Sequence, residues 1–206
     1  MKVILFSDGN KLEKQSLTIL RSLNIDVVDI VSEKNPDANY LPDADVLVSM
    51  CYHYKVRSDV LNKYDKCINF HPAPLPEYKG FAVYNFGLYN EETTWGVSAH
   101  YMIDEFDEGD IIDVIRFDIG EESVASLRSE SHKKQLELFI KLMKDISNGK
   151  EILPVPNKGG TNYTKKMFED LRKLDHSMSQ DEVERRTRAC YFPPYEGVYY
   201  RDASNI

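Results

Sequence analysis

Cysteine is scarce in this 206-residue chain: Cys51, Cys67 and Cys190 are the only three, and they are widely scattered. An odd count without Cys-x-x-Cys spacing fits neither a disulfide framework nor a zinc knuckle, which leaves buried or half-buried free thiols. No apolar run approaches the ~20 residues that cross a bilayer, so no membrane partner is expected. The amino-terminal run from Met1 to Phe6 is short, stops at Ser7-Asp8, and lacks the basic flank and cleavage signal of a secretory peptide. It reads as a first strand, and a cytoplasmic location is the expectation. Positive charge is also in deficit, with 26 Lys and Arg against 34 Asp and Glu, a net charge of −8. Proteins that grip a polyphosphate backbone present the opposite balance, so nucleic acid is disfavoured as a partner. Any anionic ligand must be small and met by a local cluster. No internal repeat, low-complexity tract or metal-ligand cluster is found.

Against these absences, hydrophobic residues make up 42% and charged residues 29%, the balance of a globular chain with a core. Short apolar runs at 3–6, 25–31, 46–50 and 67–70 read as buried strands. Near-helical spacing at 12–23, a short stretch at 56–64, residues 82–91 and the amphipathic segment 123–147 read as helices. This alternation predicts an α/β fold with a mostly parallel central sheet covered by helices on both faces. Ligands then belong outside the carboxyl ends of the strands. Residues 96–103 and 110–119 predict two further strands joined around 105–109. The Gly- and Pro-bearing segment 148–160 reads as a connector, dividing a main domain, 1–150, from a small appendage, 151–206, with two charged helical stretches (165–174 and after Ser179) and a tyrosine-rich end.

The chemistry-bearing residues gather where strands end. Asn69 and His71 are two apart at a strand exit and point the same way if strand geometry persists. Three prolines stiffen the loop behind them, lowering the entropy lost in holding a site. Asp107 lies in the turn between the next two strands. Singly, each has a bland reading: a turn-capping Asn, a loop His satisfied by backbone, an Asp closing an acidic turn. Together they make a workable set for acyl transfer.

The stretch Asn69-Phe70-His71-Pro72-Ala73-Pro74-Leu75-Pro76-Glu77-Tyr78-Lys79-Gly80 resembles the signature of the folate-dependent formyltransferases, Asn-x-His followed by Leu-Pro-x-Tyr-(Arg/Lys)-Gly. Gly96-Val97-Ser98-Ala99-His100, followed by Asp107-x-Gly109-x-Ile111, resembles that family's second signature, in matching order and spacing. The resemblance covers roughly the first two thirds of the chain. It implies a Rossmann-like formyltransferase fold, 10-formyltetrahydrofolate as co-substrate without a metal, and Asn69, His71 and Asp107 as the catalytic set. Asn69 can donate to the oxyanion formed when an amine attacks the formyl carbon. His71 can polarise the carbonyl or take the amine proton, and Asp107 can hold the imidazole or a water. The resemblance also implies a folate site on the loops carrying Tyr52, Tyr54, Lys55 and Val56, and Ile103 and Asp104. His53 is expected to line or border that site, and His100 to sit in the core and steady Asp107.

For the acceptor, the glycinamide ribonucleotide enzymes carry a Gly-x-Gly-Ser-Asn loop after the first strand, whereas this chain has Ser7-Asp8-Gly9-Asn10, with an acid where a phosphate would sit. Initiator methionyl-tRNA formyltransferases need a further carboxyl-terminal domain and a basic surface, and the chain shows neither. Arg188-Ala189-Cys190-Tyr191-Phe192-Pro193-Pro194-Tyr195-Glu196-Gly197 resembles the sugar N-formyltransferase group. That resemblance implies formylation of a nucleotide-linked amino-dideoxy sugar (dTDP-, UDP- or GDP-linked) for lipopolysaccharide O-antigen or a related glycan, and a homodimer. Lys79, Phe81, Tyr84, Tyr163 and Lys165 are the expected acceptor-binding residues, with Lys166, Arg185, Arg186, Arg188, Tyr191 and Tyr195 as further cations and aromatic faces. Solvated charge and simple packing are the bland readings for each. Another small amine such as glycinamide ribonucleotide, or a non-catalytic folate- or nucleotide-sugar-binding homologue, is the alternative.

Overall fold

Val3 and Leu5 leave the first strand on one side and Ile4 and Phe6 on the other, and all four are buried in two separate apolar clusters. A strand covered on both faces belongs in the middle of a layered α/β fold. The computed structural model, which describes residues 1–9 and 11–200, shows that arrangement. Asn10, from the stretch compared with the glycinamide ribonucleotide enzymes, and residues 201–206, from the expected appendage, lie outside the described residues.

The main sheet has six strands in the order β2 (Asp26–Val31), β1 (Lys2–Phe6), β3 (Val46–Met50), β4 (Cys67–His71), β6 (Thr94–Tyr101) and β7 (Ile111–Asp118). The first four run parallel, and β6 and β7 are antiparallel. On one face, α1 (Lys11–Ser22) and α4 (Val124–Ser147) bury Leu12, Leu20, Leu138, Phe139, Leu142 and Met143 against Val3, Leu5, Val48 and Phe70. Ser123 caps α4 in a reciprocal pair with Ser126, satisfying amides that the first turn leaves unbonded. The other face is covered by α2 and its flanks through Val56, Val60 and Tyr64. The predicted helix at 56–64 is shorter than expected: α2 is Ser58–Leu61, and Tyr64 donates to the Pro42 carbonyl at 2.9 Å from beyond its end.

Between β4 and β6 lie β5 (Tyr78–Gly80) and α3 (Val83–Tyr89). The segment after α4 returns beside this part of the molecule. β8 (Thr161–Tyr163) pairs with β5, while α5 (Lys165–Arg172) and α6 (Gln180–Cys190) join α3 around Phe86, Leu171, Ala189 and Cys190. The charged helical stretch predicted to 174 stops at Arg172, because β9 (Lys173–Leu174) pairs instead with β10 (Tyr199–Tyr200). No disulfide joins the three cysteines; Cys67 and Cys190 are buried and Cys51 partly so.

Candidate active site

The site is built at the carboxyl end of β4. Asn69 and His71 keep strand geometry, so they lie on the same side, and Asn69 pairs in register with His100 of the neighbouring β6. The hairpin that follows β6 brings Asp107 back over them. Gly109 makes this return possible: a β-carbon there would fall 1.9 Å from the Tyr101 carbonyl oxygen. Gly80 closes the other side. Its backbone is left-handed at φ +83, and a side chain would meet the Tyr163 carbonyl oxygen at 2.4 Å.

Four polar side chains converge there. Asp107 Oδ1 lies 3.3 Å from His71 Nδ1 and 3.4 Å from His100 Nε2, and Oδ2 accepts from the Gly80 N–H at 2.9 Å. His71 Nε2 donates to the Tyr78 carbonyl at 2.9 Å. His100 donates from Nδ1 to the Tyr101 carbonyl at 2.8 Å, and its Nε2 lies 3.1 Å from Asn69 Nδ2. One Asn69 amide hydrogen is therefore used by His100 and the second remains available to the cleft. Burial pushes the Asp107 carboxyl up, but the His71 and His100 rings and the Gly80 N–H pull it further down, so it stays ionised. Burial pushes the His71 imidazole below its ordinary value, and Asp107 offsets this only in part. A neutral His71 that keeps its proton at Nε2 leaves a bare Nδ1 facing a carboxylate oxygen. Two acceptors with no proton between them are poised to take one up.

The expected folate residues lie with this cluster. Tyr52, Tyr54, Lys55, Val56, Ile103 and Asp104 line one cleft together with Asn69, His71, His100 and Asp107. Lys55 Nζ lies 3.1 Å from Asp104 Oδ1, which also accepts from Ser58 Oγ at 2.9 Å, so the two lining loops are tied at the rim. His53 stands on the surface, paired with Asp8 at 2.8 Å.

The expected acceptor residues do not line that cleft. Lys79 is 2% exposed, with Nζ 2.5 Å from Glu108 Oε2. The Tyr84 hydroxyl is buried beside that of Ser131, its ring tilted against Trp95. Tyr163 stacks between Tyr78 and Phe86 at 5.4 and 4.1 Å. Phe81 is exposed and lines a second groove with Asn85, Phe168, Phe192 and Tyr195, while Lys165 is exposed at the start of α5. Arg185 and Arg186 both bind Glu182, Arg186 also donates to the Asp170, Leu171 and Lys173 carbonyls, and Arg188 donates to the Leu88 carbonyl. Arg186 braces α6 against the end of α5, and Arg188 ties α6 to α3.

Sequence reasoning missed two buried amides. Gln135 of α4 donates to the Phe70 carbonyl at 2.8 Å, steadying β4 between its two site residues. Asn157 reaches the Asp107 turn from the segment read as a connector. No local pattern singles out either, since both act across long chain separations. Among the described residues no group of three or more His, Cys, Asp or Glu side chains could hold a metal ion.

A doubly wound sheet brings the half-buried Asn69 and the buried His71 to the exit of a central strand, with the buried Asp107 folded back over them, a set of groups that can serve acyl transfer. The chain belongs to the formyl transferase family, whose model matches residues 25–143. The methionyl-tRNA formyltransferase of Pseudoalteromonas translucida is 30% identical over 172 residues, covering 81% of this chain and 53% of that protein. The chain thus spans about half the length of the curated relatives it matches. In structure it is similar to a 4-N formyltransferase from Francisella tularensis, with TM-score 0.85, 22% identity, and coverage of 98% of this chain and 93% of that one. It is also similar to the N-formyltransferase from Helicobacter canadensis in complex with folinic acid and dTDP-3-aminofucose, with TM-score 0.78, 19% identity, and coverage of 96% and 83%. No helix among the described residues is long and apolar enough to cross a membrane.

Proposed function

We propose that the protein transfers the formyl group of 10-formyltetrahydrofolate to the amino group of a nucleotide-linked amino sugar. The observation that carries the transfer step is the placement of Asn69, His71 and Asp107 in one cleft, beside Tyr52, Tyr54, Lys55, Val56, Ile103 and Asp104. Folate seated between those loops would present its formyl carbon to the strand exit. The amine nitrogen attacks that carbon, and the free Asn69 amide hydrogen meets the developing oxyanion. The proton released by the amine goes to the Nδ1–carboxylate pair of His71 and Asp107. The bond from the formyl carbon to N10 then breaks, and the proton passes to N10. No metal takes part.

For the acceptor, support comes from the second groove. Phe81, Phe168, Phe192 and Tyr195 present aromatic faces for a base. The Arg128 guanidinium lies over the Phe192 ring at 5.8 Å and has no acidic partner among the described residues, so it suits a diphosphate. Lys165 adds an exposed cation. Lys79 and Tyr84 support the site from beneath instead of touching the acceptor. The curated relatives favour a second reading, formylation of methionyl-tRNA; the net charge of −8 weighs against a polyanion of that size. A location in the cytoplasm, where folate and nucleotide sugars are held, and a homodimer complete the reading.

The test supplies the purified protein with 10-formyltetrahydrofolate and, separately, dTDP-, UDP- and GDP-linked amino sugars, glycinamide ribonucleotide, and charged initiator tRNA. Mass spectrometry of an amino-sugar product bearing one added formyl group is the expected result. Product with the tRNA or the ribonucleotide alone overturns the acceptor and spares the chemistry. No product with any acceptor, with folate binding retained, leaves a binding homologue in its place.

A further inference from the structure

The three residues of the turn Asp107-Glu108-Gly109 are each held from outside their own hairpin. Gly80 N–H binds the Asp107 carboxylate at 2.9 Å, and Lys79 binds Glu108 at 2.5 Å. Asn157 does something different. It comes from the segment between α4 and β8, it is 8% exposed, and its Nδ2 donates to two carbonyl oxygens, that of Asp107 at 2.8 Å and that of Gly109 at 3.0 Å. Both amide hydrogens are thereby spent on the backbone flanking Glu108. The backbone it holds is an uncommon one, since Asp107 adopts φ +55, the left-handed region that an L side chain rarely occupies. That conformation turns the Asp107 side chain toward His71 and away from solvent. Asn157 Oδ1 is buried with no partner among the described residues, so the hydrogen bonding of this side chain rests on its nitrogen.

We propose that Asn157 is a positioning residue for Asp107: its amide clamps the carbonyls on either side of Glu108 and so fixes the backbone that aims the carboxylate at His71 Nδ1. Asn157 touches no reacting atom; it acts through Asp107. The kinetic part of the inference rests on the formyl-transfer reading, whereas the geometric part does not. His71 is faced by Asp107 from the turn before β7, by His100 from β6 and by the Tyr78 carbonyl from β5. Of these groups Asp107 is the acid, and it is what draws the imidazole titration upward. Loosening the turn removes that pull and moves the His71 titration to lower pH.

The experiment compares wild type, Asn157→Leu, Asn157→Asp and Asn157→Gln in the full chain. Kinetics with whichever acceptor the formylation assay above yields is one readout. NMR titration of the His71 imidazole without substrate is the other, with the resonance assigned through His71→Asn. Expected are a kcat lower by about 100-fold in the Leu and Asp variants with KM within about threefold, and an acid limb of the kcat/KM profile displaced to lower pH. The His71 titration moves in the same direction as in Asp107→Asn, and Asn157→Gln recovers part of both effects. Wild-type kcat together with an unmoved His71 titration overturns the inference. So does a loss of rate with no movement of the titration, which marks a merely structural role. Failure of both the Leu and Asp variants to fold makes Asn157 a determinant of the fold and likewise overturns it. If the wild type transfers no formyl group but the titration moves as expected, the functional reading fails and the positioning role stands.

Discussion

Asp107→Asn separates the charge of the buried carboxylate from its shape. Asn keeps an oxygen that can accept from the Gly80 N–H, so the turn and the fold are retained. What disappears is the negative charge 3.3 Å from His71 Nδ1. Coulomb's law at an effective dielectric of about 20 gives roughly 5 kcal/mol for unit charges at that distance. Only the part of the proton that has moved onto His71 in the transition state feels this, so a loss of about 3–5 kcal/mol is expected, or roughly 10²–10⁴-fold in kcat, the range general acid–base catalysis occupies. The amide also offers an N–H to His71 Nδ1 and occupies the lone pair that must take the proton. KM for donor and acceptor is expected to stay within about threefold, because the side chain lies at the base of the cleft with only a small fraction of its surface exposed. The assay is initial-rate kinetics by mass spectrometry of the formylated product, with circular dichroism and thermal unfolding as the check on folding. A folded variant whose kcat lies within tenfold of wild type would refute the coupled His71–Asp107 acceptor.

Three further outcomes follow from the same geometry. His132 is lowered to about 4, chiefly by burial and then by Arg128, with Asp8 pulling upward; the unfolded chain therefore binds the extra proton between about pH 6.5 and 4, and stability is complete above 6.5 and falls as pH drops through that window. Urea unfolding at pH 7 and pH 5 is expected to show a flatter acid slope in His132→Gln, by on the order of 1 kcal/mol because solvent screens a partly exposed ring; an identical slope rules this group out. Gly109→Ala places a methyl group 1.9 Å from the Tyr101 carbonyl oxygen, and a loss of about 2–3 kcal/mol in thermal unfolding, together with activity, is expected. Phe192→Ala is expected to raise KM for the nucleotide sugar about tenfold with kcat within twofold, the worth of one stacked ring; an unchanged KM moves the base out of this groove.

How far the sequence reached can be judged element by element. The parallel core strands were legible because burial on both faces demands unbroken apolar runs, and β3 is buried at every position. Helix α4 announced itself through its apolar stripe. The run at 165–174 misled at its end, because the pairing of Lys173 and Leu174 with Tyr199 and Tyr200 is a nonlocal event without a local signature. In the site, two-residue spacing on a strand was enough to place Asn69 and His71 on one side. The reading of His100 as a support for Asp107 matches its position 3.4 Å from the carboxylate. The cations of α6 were legible as charge but not as purpose: Arg186 is spent on the carbonyls around the end of α5.

By itself the sequence determined the α/β layering, the strand exit that carries Asn69 and His71, and the family, because periodicity and motif spacing are properties of the chain. Tertiary structure alone decided the rest. Which nitrogen of His71 faces Asp107, where the Lys79 charge goes, and why Asn157 matters all depend on segments brought together across long separations. Distances of about 3 Å between side chains decide proton positions, and no spacing along a chain encodes them.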